Sequence, residues 1–330
     1  MRASRIVGLG HYLPERVVTN EDLSKLMDTS DEWIQQRTGI KERRWVDGDV
    51  GASELAEHAT RQALDEAGLK PGDLDMIIFA TLSPDINFPG SSCLLQKRLG
   101  LPGIATLDIR NQCTGFVYGL SIADQFIRTG AMKTVLVVGG EVHSSGLDLS
   151  THGRDVSVLF GDGAGAAILT ATDGERRILG SKLHSDGSNY EILMLEAPAS
   201  RNNPRLTAEM MAARKHYPSM NGQAVFKAAV QRLPEVIHEV LGAHGLSLAD
   251  VDMLIPHQAN LRINEMVARL LRLPPEKVFN NIQRYGNTTA ASIPIALHEA
   301  VQEGRIQEGD HVVLAAFGAG LTWGATAMVW

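Results

Sequence analysis

Three polar side chains stand where predicted strands give way to loops or helices. Cys113 follows the apolar run "IATLDI", His257 follows "DMLIP", and Asn287 lies in "YGNTTAAS" before an apolar, helix-like run. A thiol at a helix N-terminus is stabilised as a thiolate by the helix dipole and by free N–H groups, and the thiolate is a nucleophile. With a histidine and an asparagine beside it as hydrogen-bonding groups, the set predicts covalent catalysis through Cys113.

Each of these residues also has a structural explanation. A single cysteine is most often a packed core residue, and asparagine commonly caps a helix. The second cysteine, Cys93, lies on an apolar helix face and is interpreted as structural. A Cys, His and Asn set also occurs in papain-type hydrolases, so the residues alone leave a hydrolase open. No Cys and His spacing matches a zinc site, and the Gly-rich stretches do not fit a dinucleotide loop, so neither a zinc ion nor a dinucleotide cofactor is expected.

An internal repeat indicates how the chain brings these residues together. "GLKPGDLDMII", which begins at position 68, and "GLSLADVDMLI", which begins at position 245, share six of eleven residues at an offset of 177. The same offset aligns "TVLVVGGE" with "HVVLAAFG" and places Arg110 opposite Asn287. The cysteine loop and the asparagine loop therefore occupy equivalent corners of two similar halves and are expected to face one central cavity.

Each half alternates strand-like and helix-like runs. In the first half the helices end at Gly68 and Gly100, and the strands "MIIFAT", "IATLDI" and "TVLVVGG" are largely apolar. This pattern predicts α/β architecture: mostly parallel sheets covered by helices on both faces, with the two halves stacked as α/β/α/β/α. Residues 183–222 are irregular and are predicted to form an elaborated loop over a ligand site.

The composition excludes several classes of protein. The 330 residues are 44% hydrophobic and carry a net charge of −7, which argues against a nucleic-acid or anionic-membrane surface. No apolar run reaches the ~20 residues that cross a bilayer, and the N-terminus lacks the apolar core of a signal peptide. Two cysteines cannot form a disulfide framework. We therefore expect a cytoplasmic protein with free thiols.

Five ordered stretches resemble the β-ketoacyl-acyl carrier protein synthase III family of the thiolase superfamily. They are "CTGFVYGLSIADQFI", "VSVLFGDGAGAAIL", "IPHQANLRI", "YGNTTAASIP" and "AAFGAGLTWGATAMVW". The likeness extends from "GLGHYLPERVVTNEDL" to the last residue. It implies a thiolase-like fold of two duplicated βαβαβαββ halves: residues 1–172, which carry the cysteine, and residues 173–330, which carry the histidine and the asparagine.

The resemblance implies a decarboxylative Claisen condensation that initiates fatty acid synthesis. Cys113 would take the acyl group from an acyl-CoA primer, and the backbone N–H groups of Cys113 and Ala319 would hold the oxyanion. His257 and Asn287 would then donate hydrogen bonds to the enolate formed when malonyl-acyl carrier protein loses carbon dioxide. Phe317 would pack beside them. Acyl-CoA is a substrate in this scheme, and no cofactor is needed.

Binding residues outside the catalytic set are also implied by the resemblance. Trp33 and Arg154 would enclose the CoA adenine between them. The pantetheine tunnel and its mouth would be lined by Thr29, Arg37, Thr38, Phe226, Ala259 and Asn260. Lys227 and Arg262 would face the acidic carrier protein, and Phe88 would reach into the acyl pocket of the partner subunit in a homodimer.

Two short motifs depart from the usual pattern of the family. Arg110, Asn111 and Gln112 stand where small apolar residues usually precede the cysteine, and Ala319 replaces a glycine in the terminal "GAG". Polar bulk before the cysteine could reshape the acyl pocket or mark a specialised paralogue.

A longer segment departs as well. Residues 197–219 exceed the usual loop, and Met210, Met211 and Met220 predict a flexible apolar lid that admits longer or branched primers. Two alternatives stay open: an enzyme of the same fold in secondary metabolism, performing acyl transfer or long-chain condensation, and a thioesterase-like cysteine hydrolase.

Overall fold

The computed structural model describes residues 3–330. Its strands are β1 (Ala3–Tyr12), β2 (Val17–Thr19), β3 (Glu42–Arg44), β4 (Met76–Ala80), β5 (Ala105–Ile109), β6 (Thr134–Glu141), β7 (Gly163–Thr172), β8 (Arg177–Ser185), β9 (Leu193–Leu195), β10 (Pro218–Met220), β11 (Met253–Pro256), β12 (His311–Gly318) and β13 (Thr322–Val329). Its helices are α1 (Asn20–Ser24), α2 (Asp31–Thr38), α3 (Ala52–Ala67), α4 (Ser91–Leu99), α5 (Gly115–Arg128), α6 (Arg154–Ser157), α7 (Ala208–Ala212), α8 (Gly222–Gly242), α9 (Leu261–Leu271), α10 (Ile282–Tyr285) and α11 (Ser292–Gln302).

Two large sheets repeat one plan. Residues 3–172 build the first, with the strand order β1-β7-β6-β4-β5. Residues 177–329 build the second, with the order β11-β12-β13-β8. In the first sheet β5 pairs with the outer side of β4. The equivalent position beside β11 in the second sheet holds only a single parallel bridge, between Leu254 and Val278. Each half therefore follows the expected order βαβαβαββ, with its third strand reduced to this bridge in the second half.

The expectation of mostly parallel sheets is wrong. β4 pairs in parallel with β5 and β6, and β11 with β12, but the pairs β1–β7, β6–β7, β12–β13 and β8–β13 are antiparallel. The two final strands of the second half, β12 and β13, are joined by residues 319–321 alone. A turn this short can connect only antiparallel neighbours, because a parallel pair needs a crossover of about a dozen residues or more.

Helices cover both faces of each sheet. α5 and α11 lie between the sheets, α3 and α4 cover the outer face of the first, and α8 and α9 cover the outer face of the second. In β4, Ile78 faces the central helices while Ile77 and Phe79 face the outer ones, and all three are fully buried. Such burial stabilises the fold by about 1.5–3 kcal/mol per side chain, which explains why the strand is apolar at every position. The chain thus has the layered α/β/α/β/α thiolase-like fold.

The helix ends in the first half agree with the sequence signals. α3 and α4 stop at Gly68 and Gly100, whose φ angles of 66° and 70° are left-handed and favour glycine.

Among residues 3–330, no helix is both long enough and apolar enough to cross a membrane.

Candidate active site

One cavity of about 1360 Å³ opens at the carboxyl ends of the parallel strands of both halves. Cys113, His257 and Asn287 all line it, together with Phe317 and Ala319. The three polar side chains are almost completely buried, with relative exposures of 8%, 4% and 5%. The predicted constellation therefore comes together in space.

Cys113 sits in a tight turn that the second half repeats. β5 leads through a 3₁₀ turn, Gln112–Thr114, directly into α5, and the turn Thr289–Ala291 leads in the same way into α11. Gln112 and Thr289, which are 177 residues apart, have the uncommon positive φ angles of 43° and 48°. The duplicated turns contact one another, and the cysteine of the first corresponds to an alanine in the second.

The sulfur of Cys113 lies against the end of β12. Backbone N–H groups of Cys113 and Ala319 point at the sulfur and act to lower the pKa of the thiol. A Cβ atom added to Gly318 would lie 2.6 Å from Cys113 Cβ and 3.0 Å from Sγ. Glycine at 318 is therefore what allows this close approach, and it brings two N–H donors to the position where an oxyanion would form.

The resting thiol is protonated, contrary to the expectation of a stabilised thiolate. Burial, with a smaller contribution from the carboxylate of Glu141, raises the pKa of Cys113 to about 12, despite the two N–H groups. Desolvation of a charge in the closed core exceeds the effect of the helix N-terminus. The thiol must therefore lose its proton as it attacks.

His257 is held as a neutral ring. Its backbone N–H donates to Ala315 O at 2.8 Å, which continues the parallel pairing of β11 and β12 beyond the strand end. Burial lowers the pKa of His257 to about 3. Its Nδ1 lies 2.6 Å from the Ser292 hydroxyl, while its Nε2 has no partner among the described residues.

Ser292 determines which ring nitrogen carries the hydrogen. The Ser292 oxygen also accepts the backbone N–H of Gln258 at 3.3 Å, and no other acceptor for its hydroxyl hydrogen lies within the described chain. The hydroxyl therefore donates to Nδ1 of His257, and the hydrogen of the neutral imidazole resides on Nε2. That N–H is available to a ligand in the cavity.

Asn287 is oriented by its own turn. Its Oδ1 accepts the backbone N–H of Thr289 at 2.8 Å, so the NH₂ end of the amide is left for the cavity. His143 Nε2 lies 2.8 Å from the Thr289 hydroxyl and supports the turn. Sequence reasoning missed both His143 and Ser292, because their partners lie 146 and 35 residues away along the chain.

The predicted CoA-binding residues are divided between the cavity and its surroundings. The cavity is lined by Trp33, Arg37, Thr38, Phe226, Ala259 and Asn260. Arg262, which was predicted to face the carrier protein, lines it as well. Asn260 caps α9 through its Oδ1 and donates from Nδ2 to Arg37 O at 3.0 Å, which links α9 to α2. The guanidinium of Arg37 lies 4.2 Å from the Trp33 ring centroid, and that of Arg154 lies 5.2 Å from it.

Four predicted residues lie outside the cavity lining. Thr29 precedes the Ser30 cap of α2 and lines a separate depression with Asp31 and Lys41, so its role at the tunnel stays a prediction. Arg154 is next to Asp155 and close to Trp33, which both line the cavity, and it donates to Asp28 O at 2.6 Å. The remaining two, Lys227 and Phe88, are exposed, the latter to 83%.

The irregular segment 183–222 is more ordered than a loop. β9 and β10 pair in a short antiparallel ribbon, and α7 lies between them in the chain. Met194 and Met220 line the cavity, but Met210 and Met211 lie on α7, outside the lining. The methionine lid is therefore wrong for these two. Arg214 connects this segment to the first half of the chain, because its Nε donates a hydrogen bond to Asp148 Oδ2 at 2.7 Å.

No group of three or more His, Cys, Asp or Glu residues that could hold a metal ion occurs within residues 3–330. The chemistry that the described cavity offers is a buried thiol, two backbone N–H groups aimed at it, and two neutral side-chain N–H donors. Nucleophilic capture of a carbonyl followed by stabilisation of an oxyanion or enolate suits that set.

Two stacked βαβαβαββ halves with a cysteine turn at their centre define an enzyme of the thiolase fold. Family models for 3-oxoacyl-[acyl-carrier-protein] synthase III match residues 107–187 and, for its C-terminal part, residues 241–330. A relative from Caldanaerobacter subterraneus subsp. tengcongensis, named β-ketoacyl-[acyl-carrier-protein] synthase III, is 48% identical over 99% of this chain and 98% of its own length. A relative of the same name from Xanthomonas campestris pv. campestris is 47% identical over 98% of both chains.

The solved structure of 3-oxoacyl-[acyl-carrier-protein] synthase III from Aquifex aeolicus VF5 superposes with a TM-score of 0.91. It covers 99% of this chain and 100% of its own at 45% identity. The chain therefore belongs to the β-ketoacyl-[acyl-carrier-protein] synthase III family of condensing acyltransferases.

Proposed function

We propose that this enzyme condenses an acyl-CoA primer with malonyl-acyl carrier protein, with loss of carbon dioxide, and so initiates fatty acid synthesis. The observation that carries the proposal is the convergence of Cys113, His257 and Asn287 on one cavity, with two backbone N–H groups at the sulfur. The relatives named above bear the corresponding enzyme name.

In the first step the sulfur of Cys113 attacks the thioester carbonyl of the acyl-CoA. The new C–S bond forms as the bond to the CoA sulfur breaks, and the CoA thiol leaves with the proton that the cysteine gives up. Between these events the carbonyl oxygen carries a negative charge, which the N–H groups of Cys113 and Ala319 stabilise. The product is an acyl group held on the enzyme.

In the second step the malonyl thioester loses carbon dioxide, and the electrons of the broken C–C bond form an enolate. Nε2–H of His257 and the amide N–H of Asn287 donate hydrogen bonds to the enolate oxygen. Both donors are neutral and buried, so they stabilise the developing charge without a change in their own protonation. The enolate carbon then attacks the acyl carbonyl, and the sulfur of Cys113 leaves as a thiolate that takes up one proton from solvent to restore the thiol.

The proposal extends to substrates and partners. The adenine of CoA stacks beside Trp33, and Arg154 must move, because a ring between them needs about twice the ~3.5–4.0 Å contact distance and only 5.2 Å is present. Lys227 and Arg262, both exposed, attract the acidic carrier protein. In a homodimer the exposed Phe88 enters the partner's acyl pocket, where it loses contact with water.

Compartment and domain boundary belong to the same proposal. The cytoplasm fits an enzyme that needs a free thiol, since thiols stay reduced there. A boundary between residues 172 and 173 is supported by the first sheet, which ends at Thr172, and by the second, which begins at Arg177.

Intact mass measurement after incubation with an acyl-CoA tests the covalent step. We expect one acyl adduct on the unaltered enzyme and on Cys93→Ala, a matched control in which the half-buried cysteine of α4 is removed, and none on Cys113→Ala. An adduct that survives Cys113→Ala refutes the assignment of the nucleophile.

Adding malonyl-acyl carrier protein to the acylated enzyme separates the remaining functions. A condensing enzyme yields a β-ketoacyl thioester and carbon dioxide. Release of free acid without a malonyl donor would instead identify a cysteine hydrolase, and transfer of the acyl group to an amine or alcohol would identify the alternative in secondary metabolism.

A further inference from the structure

Several polar side chains line the cavity wall around the cysteine turn. They come from the loops that follow β4, β5 and β6 in the first half. The set is Ser83, Asp85, Arg110, Gln112, His143 and Ser145. Trp33 and Arg37, where the CoA moiety is proposed to bind, lie on α2 and are not part of this wall.

Three members of this set, which are buried or partly buried, form hydrogen bonds within the protein. Ser83 donates to Glu141 at 2.5 Å, and His143 is paired with Thr289. Asp85 accepts hydrogen bonds from Ser53 and from Ser91, both at 2.7 Å.

Arg110 and Gln112 differ from these side chains. Arg110 is exposed and Gln112 is partly buried, and both line the cavity. Within residues 3–330 neither makes a side-chain hydrogen bond, and Arg110 has no ion-pair partner. A guanidinium is always charged, and its planar fork matches a carboxylate with two parallel hydrogen bonds. Asp85, the acidic side chain of this wall, accepts hydrogen bonds from two serines and forms no ion pair with Arg110.

The distance along the chain limits what could reach Arg110 from the nucleophile. Arg110 precedes Cys113 by three residues, so their Cα atoms are no more than about 11 Å apart even in an extended chain. An acyl group of four or five carbons on the sulfur of Cys113, together with the length of the arginine side chain, can span this distance.

We propose that Arg110, assisted by Gln112, forms a subsite for a carboxylate at the far end of the acyl primer. The substrate class is the short α,ω-dicarboxylic acyl-CoA thioester, such as a succinyl or glutaryl thioester. The inference rests on the proposed function and specifies its substrate. The chemistry of transfer is unchanged: the sulfur of Cys113 replaces the CoA sulfur on the acyl carbon, the CoA thiol takes the proton, and the distal carboxylate is bound but not consumed.

The test compares acyl groups that differ only at the far end. Rates of Cys113 acylation are measured by intact mass with succinyl-CoA, with the CoA thioester of succinic acid monomethyl ester, and with butyryl-CoA. We expect the unaltered enzyme to prefer succinyl-CoA over the ester. In Arg110→Gln the ratio of the succinyl rate to the ester rate falls by about 10- to 100-fold, because hydrogen bonds to a charged group are lost. Arg269→Gln, which removes an exposed arginine of α9 outside the cavity, leaves the ratio unchanged.

The outcomes separate this inference from the proposed function. If no acyl-CoA modifies Cys113, both are overturned. If butyryl-CoA acylates the enzyme but succinyl-CoA has no advantage over its ester, or if Arg110→Gln leaves the ratio intact, only the carboxylate subsite is overturned. Size-exclusion chromatography of Arg110→Gln adds a further check: a change of oligomeric state with an unchanged ratio assigns Arg110 to a contact between subunits and refutes the subsite.

Discussion

The hydroxyl of Ser292 is expected to control condensation without controlling acylation. It lies 2.6 Å from Nδ1 of His257 and keeps the hydrogen of the ring on Nε2. Ser292→Ala leaves Nδ1 buried without a partner, and the bias toward the Nε2–H form is lost. A buried neutral hydrogen bond contributes about 1–1.5 kcal/mol, and each 1.4 kcal/mol is about tenfold in rate, so condensation should slow by about tenfold.

Acylation depends on other atoms. The N–H groups at the Cys113 sulfur belong to Cys113 and Ala319, and neither is bonded to Ser292. We therefore expect the acylation rate of Ser292→Ala to stay within about threefold of the original. Ser181→Ala is a matched control, since it removes a serine bonded at 2.8 Å to Thr326 on the far part of the second sheet and should change neither rate.

The assay uses enzyme acylated in advance. Rapid quenching after addition of malonyl-acyl carrier protein gives the rate of condensation, and intact mass gives the rate of acylation. Nitrogen-15 NMR of labelled histidine reports which ring nitrogen of His257 bears the hydrogen, a property that loss of stability alone would not change. Condensation at the original rate in Ser292→Ala, or a hydrogen found on Nδ1 in the unaltered enzyme, would refute the reasoning.

Three further predictions follow from the same geometry. Asn287→Ala should keep acylation but slow condensation by about 10²- to 10³-fold in the quenched assay, because one enolate donor is lost; a parallel loss of acylation would contradict its role. Gly318→Ala should abolish acylation and destabilise the fold by about 1–3 kcal/mol in thermal unfolding, since its Cβ would lie 2.6 Å from that of Cys113. The acylation rate should rise about tenfold per pH unit from pH 6 to 9, because the thiol pKa is about 12 and that of His257 is about 3. A plateau with a midpoint near pH 7 would disprove that last expectation.

The parts of the fold that depend on nearby residues were predictable from the sequence. The ends of α3 and α4 follow from single glycines, and the apolar runs of β4 and β6 follow from helices on both sheet faces. The repeat of 177 residues correctly related the cysteine turn to the turn after Asn287, because both turns have the same backbone form. Local signals and a duplicated sequence were sufficient in these cases.

Properties that depend on packing between distant segments were not predictable. The thiol was expected to ionise because of its helix N-terminus, but its burial, which only the folded chain determines, has the larger effect. Thr29 lies close to Trp33 in sequence yet lines a different depression, and the pairing of His257 with Ser292 has no signature in either motif. The roles of the site residues themselves stay predictions until the variants are measured.

The two duplicated turns meet at the centre of the molecule, one with a thiol and the other with an asparagine just before it. The same backbone turn therefore presents different groups in the two halves: a cysteine in the first, and in the second an alanine at the equivalent position with an asparagine three residues before it. In the proposed mechanism, an acyl group on the first turn lies beside the hydrogen-bond donors of the second half. The acyl group then does not have to move between the two steps, so the enzyme needs no swinging arm, hinge or second chamber. Only the two thioester substrates bind and their products leave.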